Sequence, residues 1–265
     1  QLFDSSDTDG YYIRATAPGS LKVNFDSSTN SSYTDYYKIT LQDADFNTLS
    51  SFETGQDGEI TAAVEAAGIY WVQVEATNYH SDSVYGITAS LSTQTGTVET
   101  EDNDSIAKAD KLTAGTQLQG QLSSSSDIDW FKYNATGAAS LNLAFDLPTN
   151  SSYTDYFSVQ ILEDGDTVFS GVKTGTDGSL KASVSEAGTY YVKVTSTNYH
   201  DSGQYGLTLT EGSYDSNYES EHNGYQKTNG SIVAKGDRLT NNQKMSGQLF
   251  DSSDTDGYYI RATAP

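Results

Sequence analysis

The chain has 265 residues, a length that argues for about two domains, each large enough to bury a core. Its 36 acidic residues against 14 basic ones give a formal charge of −22, which repels phosphate backbones and anionic headgroups and excludes nucleic acid as a partner. Without cysteine there is no disulfide, thiolate metal site or cysteine nucleophile, and no apolar run approaches the roughly 20 residues that cross a bilayer, so membrane insertion is not expected.

Twenty tyrosines, 23 glycines, three prolines and abundant Ser, Thr, Asn and Asp favour strands joined by polar turns, and the expected fold class is all-β. Period-two alternation of apolar and polar residues predicts strands over 11–16, 21–26, 36–41, 59–64, 69–75 and 84–91. Val72 and Val74 then face one side, with Trp71, Gln73 and Glu75 on the other. A stretch at 105–112, with Ile106, Ala109 and Leu112 at three-residue spacing, predicts a turn or two of helix. Further strands follow over 141–146, 157–162, 179–184, 189–195 and 204–210. Asp57-Gly58 and Asp177-Gly178 suit the positive φ angles of tight hairpins. Six to eight strands in about 120 residues predict tandem jelly-roll-like β-sandwich domains.

The sequence matches itself at a shift of about 120 residues: NSSYTDY at 30–36 returns at 150–156, and TNYH at 77–80 returns at 197–200. A second match is letter for letter, since residues 1–18 reappear as 248–265, which predicts a higher-order period of about 247 residues. Residues 1–98 are therefore expected to form a sandwich lacking its opening segment, 99–218 a complete one, and 219–265 the opening of a third. Gln1 in place of an initiator Met leads to the expectation of an excerpt from a longer array or filament, with any secretion signal elsewhere. Residues 219–247 are expected to complete the truncated first sandwich, covalently in a longer array or between subunits by strand addition.

The densest polar constellation is Glu99, Glu101, Asn103 and Asp104, followed downstream by Asp127 and Asp129 just before Trp130. All supply oxygen, and calcium takes six to eight oxygen ligands at about 2.3–2.6 Å. In an extended segment Glu99 and Glu101 face the same side, as a shared cation requires. The next copy offers Glu219, Glu221, Asn223, Asp254 and Asp256, with Gly224 in place of an acid, and the first keeps only Asp7 and Asp9. An EF-hand at 4–10 is rejected, because Thr16 stands where the bidentate Glu belongs. His80 and His200 have Asp82 and Asp201 nearby but no activated nucleophile, so the chain is expected not to be an enzyme. The repeated loops of NSSYTDY and TNYH offer a polar aromatic patch for sugars, against a plain structural use of the same residues. Asn30, Asn103, Asn134, Asn150 and Asn229 open Asn-x-Ser/Thr triplets, which are common by chance in a chain this rich in Ser and Thr.

The string ETEDNDSIAKA at 99–109, then Leu112, Gly120-Gln-Leu122 and Asp127-Ile-Asp-Trp-Phe131, resembles the bacterial pre-peptidase C-terminal domain family, which includes collagen-binding domains of secreted collagenases. Gly188-Thr-Tyr-Tyr-Val192 and Tyr205-Gly-Leu-Thr-Leu209 resemble that family's closing strands. The resemblance implies a jelly-roll sandwich, secretion to the extracellular space or cell surface, and calcium held by the linker acids and by those ahead of the Asp-x-Asp-aromatic strand. The function expected is a non-catalytic, calcium-stiffened structural array, an adhesin stalk or filament, that associates with neighbouring repeats or subunits. The competing expectation is a module that binds carbohydrate or a collagen-like ligand for a secreted hydrolase.

Overall fold

The computed structural model describes residues 1–93, 97–101, 103–147, 151–201, 203–220, 225–228, 231–234, 236–250, 252 and 254–262, with the backbone alone for 93, 225–228 and 231–234. Seven strands form the first unit: β1 (Thr8–Ala15), β2 (Gly19–Ser27), β3 (Tyr37–Gln42), β4 (Thr48–Thr54), β5 (Gly58–Val64), β6 (Gly68–Ala76) and β7 (Tyr85–Thr93). They make two facing sheets, β1-β6-β3-β4 and β5-β2-β7. A connecting stretch follows with β8 (Thr97–Val98), a 3₁₀ turn at Ile106–Lys108, β9 (Asp110–Lys111) and β10 (Leu118–Gly120). The helix expected at 105–112 is this single turn.

The second unit then repeats the first with β11 (Ile128–Ala135), β12 (Ala139–Asp146), β13 (Phe157–Leu162), β14 (Val168–Thr174), β15 (Gly178–Val184), β16 (Gly188–Ser196) and β17 (Tyr205–Ser213). Its sheets are wider, β14-β13-β16-β11-β9 and β15-β12-β17-β10-β8, because the connecting stretch adds strands to both. Beyond it lie β18 (Tyr225–Thr228), β19 (Ser231–Ala234), β20 (Asp237–Arg238) and β21 (Tyr258–Tyr259), with β18 paired to β19 and β20 to β21. The all-β class and the tandem sandwiches are as the sequence leads one to expect.

Alternation builds both cores. In β2 Leu21, Val23 and Phe25 are fully buried while Lys22 and Asn24 reach solvent, and in β12 Leu141, Leu143 and Phe145 do the same around Asn142. Val72 and Val74 of β6 and Val192 and Val194 of β16 close the cores from the opposite sheets. Each such side chain contributes roughly 1.5–3 kcal/mol on full burial. The register is conserved between copies: Asp9 stands opposite Val74 and Asp129 opposite Val194, so each acid enters its sandwich at the same place.

Two expectations need correction. Asp57-Gly58 and Asp177-Gly178 do not form positive-φ hairpins; the positive-φ positions among the described residues are Asn30, Phe46, Gly115 and Asn242. The chain at these points crosses from one sheet to the other, and the aspartates instead accept backbone N–H groups at the end of the neighbouring strand of the sheet they enter, Asp57 Oδ1 from Ser27 and Asp177 Oδ1 from Leu147, each at 2.8 Å. Strands β4 and β14 were not expected. They are edge strands with sequences TLSSFET and VFSGVKT, too polar to show alternation, although Leu49 and Phe169 from them are buried.

Candidate metal centre at the domain junction

Strand β10 and the chain before it carry the second unit onto the first. Gln121 is almost fully buried there: its Oε1 accepts from Ala63 N (3.1 Å), and its Nε2 donates to Thr61 O and to Ser50 Oγ (3.4 Å). Gln248, one unit later, meets the matching Ser170, whose Oγ donates to Gln248 Oε1 (2.6 Å), while Gln248 Nε2 donates to Gly171 O (2.9 Å). The same residue type thus hooks each unit to its predecessor through polar bonds. The apolar cores of the two sandwiches remain separate clusters.

Beside Gln121 the structure brings the expected acids together. Glu99 and Asp129 are buried, Glu101 partly so, and one carboxylate oxygen from each lies within 4.8 Å of the other two. Asn103 and Asp127 are buried in the same place and Asp104 sits at its exposed rim. Backbone pairing places them: Glu99 N donates to Gln119 O (2.9 Å), and Trp130 N donates to Asn103 O (3.2 Å), which ties the linker to β11. Glu99 Oε1 accepts from Gln121 N, and Glu99 Oε2 accepts from Asn103 Nδ2 (3.4 Å). Asp129 Oδ2 accepts the phenol of Tyr205, and Asp127 Oδ2 accepts Ser123 N. Asn103 Oδ1 and Asp129 Oδ1 are buried without a hydrogen-bond partner.

These groups crowd like charge out of water, and none of the ion pairs among the described residues reaches them. Burial, then the Asp129 charge, holds the Glu99 carboxyl well above the usual carboxylate range. Burial, then Asp127 and Asp104, pushes Glu101 up to about 8. Burial, then Asp127, likewise raises Asp129 well above its ordinary value against the lowering effect of the Tyr205 hydrogen bond, and burial also raises Asp127. Every donor is a hard oxygen, two buried acceptors have no hydrogen-bond donor, and the charge has no counterion among the described residues. This donor set fits calcium.

Two participants were not foreseen. Glu65, from the first unit, accepts Glu101 N on its Oε1 (2.6 Å), and its own carboxyl is raised by burial. Tyr205 comes from β17, and its twin Tyr85 bonds Asp9 Oδ2 in the first unit. The tyrosine's repetition at a shift of about 120 residues was the available signal; for Glu65 the sequence carried none, since nothing repeats it.

The third unit shows part of the same plan. Glu219 is buried, accepting Gln248 N on Oε1 and the Tyr258 phenol on Oε2 (2.7 Å). Asp254 Oδ2 accepts Phe250 N (2.8 Å), as Asp127 accepts Ser123 N. Asp256 Oδ1 is buried without a partner, and burial together with Glu219 pushes this carboxyl up to about 6. Glu221 and Asn223, with Gly224, lie outside the described residues. In the first unit Asp7 Oδ2 accepts Phe3 N (2.7 Å), and Asp9 receives Tyr85, without a linker carboxylate beside them among the described residues.

His80 and His200 each hold a neighbouring segment. His80 Nε2 lies 3.1 Å from Leu2 O, and His200 Nδ1 lies 3.2 Å from Ser196 Oγ. Among the described residues no helix is long and apolar enough to cross a membrane.

No protein-family model and no curated protein matches the sequence. Solved structures similar to the chain include the pre-peptidase C-terminal domain of a collagenase from Bacillus anthracis, at 17% identity over 38% of this chain and 94% of that one, with a TM-score of 0.31. Tandem CBM51 modules of a family 98 glycoside hydrolase from Streptococcus pneumoniae match at 13% identity over 80% of this chain and 82% of theirs, with a TM-score of 0.30. Similarity at this level leaves the functional reading to the chain's own residues.

Proposed function

We propose that the chain is a non-catalytic, extracellular structural repeat in which calcium at each junction locks one β-sandwich to the next, as in a stalk or surface filament. The observation that carries this reading is the meeting of Glu99, Glu101 and Asp129 within 4.8 Å, with Asn103 Oδ1 and Asp129 Oδ1 buried and unsatisfied. Glu99, Glu101, Asn103, Asp127 and Asp129 would hold the ion, with Asp104 at the rim. The bound cation supplies charge neutralisation. The protein's part is to hold the linker against β11 through Trp130 N and Asn103 O, and to present Glu101 to Glu65 of the preceding unit. Like charges that repel across the joint then favour one geometry over many when the ion is present. This reading sets the chain with the pre-peptidase C-terminal family that 99–109 resembles. Calorimetric titration of the metal-free chain with calcium tests it: binding is expected, and Glu99→Gln should weaken it at least tenfold. Absence of binding at millimolar calcium would overturn it.

A second reading, a carbohydrate-binding module, has one observation of its own. Tyr153 and Tyr199 are exposed along a cleft in the second unit that is also lined by Asp155, Lys173 and Asn198, and the twins Tyr33 and Tyr79 are exposed in the first. The loop of Tyr153 packs directly against Gly175, since Ser151 N donates to Gly175 O (2.7 Å) and any Cβ on Gly175 would collide with Thr154 O. Aromatic faces beside polar side chains suit a sugar ring. A glycan-binding screen with Tyr153→Ala and Tyr199→Ala controls separates this reading from the first.

A further inference from the structure

We propose that the outward face of the sheet formed by β14, β13 and β16 in the second unit binds an acidic glycan, one whose pyranose rings carry carboxylate or sulfate. The proposal rests on the sugar-binding reading and names the class of sugar.

Strand register lays out this face. Side chains directly opposite one another on antiparallel neighbours share a side of the sheet. Lys173 of β14, Ser158 of β13 and Thr195 of β16 therefore form one row, and Gly171, Gln160, Lys193 and Trp130 form the next. Val159 and Val194, which alternate with these positions, point into the core. Neither row contains a carboxylate. Lys173 is exposed, and no ion pair among the described residues reaches it or Lys193. Lys193 Nζ stands 5.0 Å from the centroid of the Trp130 ring.

The first unit carries the same scaffold with the opposite charge. There the first row reads Glu53, Lys38 and Glu75, with Lys38 Nζ held by Glu75 Oε1 (2.9 Å), and the next reads Ser51, Thr40 and Gln73. Between the copies Glu53 gives way to Lys173, Glu75 to Thr195, Lys38 to Ser158 and Gln73 to Lys193. Rows that are net acidic and internally paired in the first unit thus become cationic and unpaired in the second. A chain with a formal charge of −22 has collected lysines without counterions on one face.

The row of Lys173 lines the cleft of Tyr153 and Tyr199, whose volume of about 520 Å³ suits a small ligand. Tyr199 is placed by an edge-on contact with Tyr156 (6.5 Å between centroids), and Thr197 N donates to Tyr156 O (3.0 Å). Ser158, Thr195 and Asn198 line the same cleft and suit pyranose hydroxyls, as the exposed tyrosines suit the ring. Lys173 adds an ammonium that a neutral sugar does not use and that bonds strongly to carboxylate or sulfate. Asp155 also lines the cleft and opposes an anion, but its twin Asp35 stands in the first unit as well, so the contrast between the copies lies in the lysines. The net charge of the chain is screened beyond about 8 Å at physiological salt, which leaves the local lysine to decide. An acidic peptide would use the lysine but not the tyrosine and hydroxyl lining, so a sugar is the better fit.

Calorimetric titration of the full chain in sodium buffer with chelator tests the proposal. Tetragalacturonate and a sulfated galactan tetramer are the acidic probes, and the methyl ester of the first and the unsulfated form of the second are their uncharged counterparts. At least one acidic sugar should bind, its uncharged counterpart at least tenfold more weakly, and a pentaglutamate peptide not measurably. Lys173→Glu installs the residue that the first unit carries at Glu53 on the same scaffold, and it should weaken the acidic sugar at least tenfold. An uncharged sugar that binds as well as its acidic form would overturn the proposal and leave the sugar-binding reading standing, whereas no binding of any sugar at millimolar concentration would overturn both. Binding of pentaglutamate as tight as that of the sugar, or undiminished binding by Lys173→Glu, would also overturn the proposal.

Discussion

Tyr205 donates its phenolic hydrogen to Asp129 Oδ2 from inside the second sandwich, and this bond leaves Oδ1 as the aspartate oxygen without a partner. The ring that delivers the hydroxyl is itself fixed by Phe145 and Phe157, with centroids 5.3 and 5.8 Å away. Core packing thus sets the orientation of a metal-site carboxylate. Tyr205→Phe keeps the ring and removes the bond. A hydrogen bond to a charged group contributes about 1.5–3 kcal/mol, so the calcium-loaded protein should lose stability of that order, read as a lowered denaturant midpoint with an unchanged slope.

Glu99→Gln separates repulsion from ligation. Removing one buried carboxylate relieves Asp129, Glu101 and Asp127, so in chelator the variant should unfold at a higher temperature than the parent. In calcium the difference should shrink or reverse, because the parent gains about 2.7 kcal/mol from bound ligand at a hundredfold excess over Kd, and a variant that binds at least tenfold more weakly gains at most about 1.4 kcal/mol. Paired thermal melts with and without calcium check that the ion raises the variant's melting temperature less than the parent's.

The raised carboxyls also set a pH dependence. Glu101 titrates near 8 when folded against an ordinary value of 4.5, with Glu99 and Asp129 displaced the same way, so between these limits the metal-free folded state binds more protons than the unfolded one. Stability in chelator is therefore full at acid pH below the ordinary carboxylate value and is lost as pH rises through about 8. Saturating calcium should flatten this fall. Denaturant midpoints measured from mildly acidic to mildly alkaline pH, with and without the ion, give the comparison.

Gln121→Ala removes the hook between the units while leaving both cores intact. Ala63 N loses its acceptor, so its amide should exchange with solvent faster than in the parent, and amides within β12 and β16 should keep their protection. Residue-resolved hydrogen exchange reads both.

How much of this could be foreseen follows from what each residue answers to. Strands with one face in a core, such as 21–26 and 157–162, announce themselves by alternation, and the cluster of Glu99, Glu101, Asp127 and Asp129 by charge density and spacing. Edge strands β4 and β14 pair on one side only and carry polar residues, which hides them. Asp57 and Asp177 have the composition of hairpin turns, but their carboxylates are used by backbone groups 30 residues away, and tertiary demand overrides local preference. Glu65 joins the site only because two units meet, a fact that belongs to neither sequence segment alone.

Small-angle scattering of the intact chain, recorded in millimolar calcium and again after chelation, tests the junction most directly. A cation-locked joint predicts a narrower distance distribution with calcium that broadens in chelator and narrows again when the ion is restored. Superimposable curves in the two conditions would contradict it.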